Sequence, residues 1–245
     1  MKIEVLFPEI CNLFGELANI RYLESSLKES GEFYEITYTS LKDEPLFASE
    51  KPDLIYMGGM SEHSQSLVVD KLMPYRDRII DLIKDDTNFL ITSNALEIFG
   101  ERIEFCDADY EDIKGLSIFP TVAKNQMYKR FNCLYLGKLG DMEIVGFKSQ
   151  FGHSYLNGDK NYEDLFETIK GTGLNPEYKN EGIKVNGFLA TYVVGPILVL
   201  NPDFTKALMK RMGVGEPKLA YEEAAYESYN QRLNEYKEEN RGFYY

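Results

Sequence analysis

Apolar and polar positions alternate over Lys2–Phe7 and then give way to Pro8, the pattern of a strand closed by a turn. From Glu16 to Ser30 the spacing changes, with Leu17, Ile20, Leu23 and Leu27 recurring at helical intervals before Gly31 as a stop. Glu35–Tyr38 and Asp53–Met57 predict two more strands, the second running into Gly58-Gly59. Ser64–Leu72 and Tyr75–Lys84 predict one helix interrupted near Pro74. Asn88–Thr92 predicts a fourth strand, and the small residues Ser93-Asn94-Ala95 open a helix through Phe99.

Strands that alternate with helices imply an α/β fold with a mostly parallel sheet and helices on both faces. The second half differs. Leu116–Pro120, Phe131–Leu136, Glu143–Phe147 and Gly187–Val194 are strand-like and joined by turns, which predicts an antiparallel extension of the same sheet. Leu200-Asn201-Pro202-Asp203 caps a helix running to Met212. A linker at Gly213–Pro217 and a last helix over 221–240 follow, so the domain expectation is 1–212 and 213–245. Along that last helix Tyr221, Ala225, Tyr229, Leu233 and Tyr236 recur about every four positions. Such a stripe packs on the chain's own core or, tyrosine being favoured at interfaces, on a partner or a second copy in a homo-oligomer.

A chain of 245 residues buries roughly 70% of its unfolded surface, so a full core is available. The formal charge of -13, from 27 Lys+Arg against 40 Asp+Glu, argues against nucleic-acid binding in the absence of a basic patch. The odd, widely spaced cysteines Cys11, Cys106 and Cys133 fit neither a disulfide framework nor a metal site, and Cys106 and Cys133 read as small buried hydrophobes. The first residues form a charged strand rather than a signal peptide, and no apolar run reaches the roughly 20 residues of a membrane span. A cytoplasmic protein is expected.

In an open α/β sheet, ligands bind outside the carboxyl ends of the strands. Gly58-Gly59 and Ser93-Asn94-Ala95 both follow such ends. The second has the character of a nucleophile elbow, which lifts its central side chain above the sheet and presents the next backbone N–H, that of Asn94, to an oxyanion. The plainer readings are a simple turn and a serine N-cap.

Several ordered segments carry a resemblance through most of residues 1–205. They are LFPEICNLFGELANI with Asn12, Gly15 and Asn19, IYMGGMSEHSQ with Gly58, Gly59 and Gln65, and FLITSNALEIFG with Gly100. IVGFKSQFGHSYL adds Gly146, Phe147, Gly152, Tyr155 and Leu156, and ATYVVGPILVLNP adds Thr191, Tyr192, Gly195, Pro196, Asn201 and Pro202. Together they resemble the cobyric-acid-synthase-like class I glutamine amidotransferases, most closely the glutaminase subunits of lipid II isoglutaminyl synthases. The resemblance implies a flavodoxin-like sheet, a glutamine-like ligand and an ATP-dependent, Mur-ligase-type partner, with no cofactor.

It also implies losses. The family's cysteine nucleophile falls on Ser93 and its histidine base on Val194. Asn94 and Ala95 replace the elbow's glycines, Glu97 replaces its glutamine, and Gln150 occupies an Asn-His position. The chain has 2 histidines. His63 reads as a surface residue, and His153 is the candidate substitute base. Three functions follow: an inactive binding or regulatory subunit, an altered amidohydrolase using Ser93 with His153 or a water, and a binding module for a small amide or amino acid.

Overall fold

The computed structural model describes residues 1–107 and 109–244. Its main sheet uses β1 (Lys2–Leu6), β2 (Glu35–Thr39), β3 (Leu54–Met57) and β4 (Asn88–Thr92) from the first half of the chain. The first-half helices are α1 (Ala18–Glu29), α2 (Glu62–Leu72) and α3 (Arg76–Lys84). Five short strands lead into the second half: β5 (Arg102–Phe105), β6 (Ile113–Lys114), β7 (Thr121–Asn125), β8 (Phe131–Leu139) and β9 (Met142–Gln150). Then come β10 (Gly152–Leu156), β11 (Glu167–Lys170), β12 (Ile183–Val185) and β13 (Phe188–Thr191). The chain closes with α4 (Ile197–Leu200), α5 (Pro202–Arg211) and α6 (Glu222–Lys237).

The main sheet runs β12-β13-β4-β3-β1-β2. Its neighbours from β13 to β2 pair in parallel, and β12 alone is antiparallel to β13. Alternate side chains feed two cores because successive Cβ atoms point to opposite faces. Ile55, Met57, Phe89 and Ile91 meet Val68, Leu72, Ile79 and Leu82 of α2 and α3 on one face. Leu54, Tyr56, Leu90 and Val5 meet Ile20, Leu23 and Leu27 of α1 and Phe204 and Leu208 of α5 on the other. Both faces are covered, which is why these strands are almost continuously apolar.

The antiparallel segments depart from expectation in detail. Leu116–Pro120 is a turn, and the strand there is β7. The Phe131 and Glu143 segments lengthen into the β8–β9 hairpin of a separate sheet ordered β11-β8-β9. The Gly187 segment supplies β13, which pairs with β4 in parallel. A second separate sheet is ordered β10-β7-β5-β6. Alternation announces a strand, but tertiary packing selects its neighbour. Gly137–Leu139 and Met142 continue the hairpin across a tight turn at Gly140, which has φ +60°.

Helix α6 lies on that hairpin, where Leu233 and Tyr236 pack with Leu136, Val145 and Phe243. Tyr221, expected on the inward stripe, is instead 83% exposed and sits in the left-handed region just before the helix. Lys170 Nζ donates to the carbonyls of Tyr236, Lys237 and Glu238, a C-cap by a basic side chain. The preceding stretch is tied to α1, since Lys218 N–H donates to Ser30 Oγ and Ala220 N–H to Ser26 Oγ. Cys11 and Cys133 are buried, but Cys106 is exposed. It stands just past the end of β5 at Phe105. Among the described residues no helix is long and apolar enough to cross a membrane.

Candidate functional site

Ser93 follows β4 directly and has φ +60°, a left-handed conformation that a non-glycine residue adopts at a cost. It opens a helix through Phe99, as the sequence suggests, and that helix, Ser93–Phe99, is of the 3-10 type. The register Thr191↔Thr92 between β13 and β4, and Met57↔Ile91 between β3 and β4, bring three turns to one end of the sheet. These are the turn at Ser93, the loop at Gly58-Gly59 and the segment leading to Val194.

The Gly58-Gly59 loop lies against the elbow. A Cβ on Gly59 would fall 2.6 Å from Ser93 Cβ, and one on Gly58 would fall 2.7 Å from the Cys11 carbonyl oxygen. Only glycine lets the two backbones approach this closely. Asn94 then fastens them together. Its Oδ1 accepts from Met60 N–H at 3.0 Å, and its Nδ2 donates to Met60 O at 2.8 Å. An amide of the loop is thereby satisfied by a side chain of the elbow and is not free to meet a ligand.

Beside Ser93 the remaining cavity is about 30 Å³, lined by Leu13, Phe14, Glu62, Arg130 and Gln150 among others. That is room for roughly one or two water molecules. Gln150 ends β9 and donates from Nε2 to Gly152 O at 2.6 Å, and among the described residues its buried Oε1 has no hydrogen-bond partner. The Arg130 guanidinium lies over the Phe151 ring at 4.7 Å.

Val194 does not reach this cavity. It is fully buried, and its backbone exchanges two hydrogen bonds with Phe147 of β9. His153 lies one strand further on, in β10, with its ring 5.0 Å from that of Phe131. Its Nδ1 is 3.4 Å from Gln150 Nε2, and among the described residues no hydrogen bond joins it to Ser93. Burial and the neighbouring Lys148 charge push the imidazole down to about 4, which makes it a weak base. His63 is exposed on α2, as expected.

Two carboxyls frame the elbow: Glu97, noted in the sequence only as a replacement, and Glu16, which sequence reasoning passed over. Glu16, just before α1, accepts from Gly195 N–H at 3.3 Å and from Asn19 Nδ2 at 3.2 Å. Glu97, within the 3-10 helix, accepts from Gln65 Nε2 at 2.8 Å and from Tyr192 O–H at 3.0 Å. Burial raises each to about 7 against the pull of those hydrogen bonds. Gln65 also donates to Asn94 O at 3.1 Å, so the α2 side chain supports the elbow from behind. The signal available in sequence was Glu97 itself, an acid at an otherwise apolar turn.

The arrangement sets an elbow against a glycine loop, and among the described residues no hydrogen bond joins Ser93 to a thiol or an imidazole. Comparison with known proteins places the frame. Over 237 residues the chain is 26% identical to the GatD subunit of lipid II isoglutaminyl synthase (glutamine-hydrolyzing) of Streptococcus pneumoniae, covering 91% of this chain and 86% of that one. It is 24% identical to the Staphylococcus aureus subunit of the same name over 200 residues, 82% and 79% of the two chains. A crystal structure of a glutamine amidotransferase superposes with a TM-score of 0.53 at 10% identity, covering 86% of this chain and 98% of its own, and supports the fold. Residues 2–201 match the CobB/CobQ-like glutamine amidotransferase domain, and the chain belongs to that family.

Proposed function

We propose that this protein is a glutamine amidotransferase subunit that no longer hydrolyses glutamine and acts by binding or regulating an ATP-dependent, Mur-ligase-type partner. The observation that carries the reading is the small cavity at Ser93. Covalent amide hydrolysis needs a nucleophile, a base to activate it and to protonate the leaving ammonia, and donors for the oxyanion. Here a hydroxyl stands where the family has a thiol, a buried valine stands where it has a base, and Asn94 engages the glycine loop. About 30 Å³ does not admit a glutamine side chain and backbone. Both similar proteins are subunits by name, which supports a role exercised through a partner.

One observation favours a second reading, an altered amidohydrolase built on Ser93. Its backbone keeps the strained left-handed conformation of an elbow although no thiol is there to present. The two readings separate in a glutaminase assay. Losing members of a coupled nucleophile and base unit costs on the order of a million-fold in rate, so the expected outcome is ammonia release at the level of the buffer blank. Release above the blank that disappears in Ser93→Ala overturns the first reading and establishes the second.

A further inference from the structure

A cavity of about 660 Å³ opens between α2 and the β5–β6 edge, next to the elbow cavity, with Glu62 in the wall of both. Its volume lies in the range of about 300–1,000 Å³ typical of small-molecule sites. Nothing in the glutaminase frame uses it. Its floor is apolar, formed by Val69, Ile113 and Met127. One end is aromatic: the rings of Phe105 and Tyr110 meet edge to face, with centroids 5.4 Å apart and planes at 61°. Both belong to the lining. Two rings set edge to face in one wall supply the aromatic surface that attracts an alkylated ammonium.

The charges around the corner point the same way. Glu62, Asp70, Glu111 and Asp112 line the cavity, with Lys114 the single lysine or arginine among the described lining residues. Among the described residues none of these side chains forms a salt bridge. Asp112 accepts from Phe105 N–H at 3.1 Å; an anion would face a net repulsive wall, and a neutral apolar ligand would leave Asp70 and Glu111 without a counter-charge. A compact, strongly hydrated ammonium would gain little from the rings. A methylated ammonium satisfies both parts of the site, with its methyl groups on the aromatic faces and its charge toward the acids.

We propose that this cavity binds a small quaternary or methylated ammonium compound, held in the corner of Phe105 and Tyr110 and neutralised by the surrounding carboxylates. The proposal rests on the cavity alone and stands whether or not Ser93 is catalytic. The test is calorimetric titration of the full chain with choline and with its neutral isostere 3,3-dimethylbutan-1-ol. Choline should bind saturably and the alcohol at least about tenfold more weakly, and Tyr110→Leu should weaken choline roughly three- to thirtyfold while leaving the apolar volume filled. Asp70→Asn, on the exposed face of α2, should weaken it as well without disturbing the fold. Sedimentation with phosphatidylcholine vesicles, competed by free choline, assigns the compound to a lipid headgroup; no sedimentation assigns it to a free metabolite. Equal affinity for choline and the alcohol, no saturable choline binding, or choline binding unchanged in Tyr110→Leu overturns the proposal.

Discussion

Glu97 shows what a single carboxyl in the wrong solvent does. It stands where the family resemblance aligns a glutamine, and it is buried between Gln65 and Tyr192. Its carboxyl ionises near 4.5 in an unfolded chain and near about 7 in the folded one. Between those values the folded protein keeps a proton that the unfolded chain has released. The stability this proton carries is complete below 4.5 and lost as pH rises to about 7, at about 1.4 kcal/mol per pH unit for one group. Glu16 behaves in the same sense. The protein is therefore expected to resist urea better at pH 5 than at pH 8, and Glu97→Gln to flatten part of that slope. Unfolding midpoints measured from pH 5 to pH 8 decide it. Parallel slopes for the two proteins would show that Glu97 ionises normally.

Among the elements, α6 is the one whose role the sequence left between two placements. In the folded chain its Leu233 and Tyr236 cover the β8–β9 hairpin, its end is capped by Lys170, and the tail beyond it runs along β8, where Leu134 N–H donates to Phe243 O at 2.7 Å. Removing everything after Met212 uncovers Leu136 and Val145 and strips Leu219 from the core beside α1. Burying side chains of this size is worth about 1.5–3 kcal/mol each. The truncated protein is expected to melt at a lower temperature and to bind a hydrophobic dye. A melting temperature equal to that of the full chain, together with a fall in apparent mass, would instead make α6 an intermolecular element.

Across the whole molecule, a buried ion pair ties two of the sheets together. Lys148 of β9 donates to the Glu181 carboxylate and to Gly173 O at 2.6 Å, and both charged groups are excluded from solvent. Glu181 in turn accepts from Thr191 O–H at 3.0 Å and from Tyr192 N–H at 2.7 Å. The pair thus joins the β8–β9 sheet to the end of β13, and through Tyr192 it reaches Glu97 and the elbow. Lys148→Met leaves a carboxylate buried without its partner and is expected to destabilise the fold by about 3–5 kcal/mol. Lys148→Met with Glu181→Gln keeps an acceptor for Tyr192 N–H and removes the stranded charge, so it should recover much of that loss. Chemical denaturation of the three proteins measures it, and equal stability of the single and double variants would contradict the assignment.

The sequence by itself determined the α/β class, the four parallel strands and the ends of the sheet where Ser93, Gly58 and Gly59 lie, because those features rest on local periodicity and on turn residues that punctuate it. Its resemblance to the family also raised the expectation, on which the proposed function rests, that Ser93 stands at a thiol's position and Val194 at a base's. Tertiary structure alone decided which partners the later strands took, because a strand pattern such as Phe131–Leu139 or Phe188–Thr191 does not name the strand it pairs with. It decided that Asn94 closes on Met60, that Val194 faces the core and that His153 stays with Phe131. It set Glu16 and Glu97 in low-dielectric surroundings as well. Each of these depends on groups far apart in the chain meeting at short range, where hydrogen bonding and desolvation are settled by distance and not by order along the backbone.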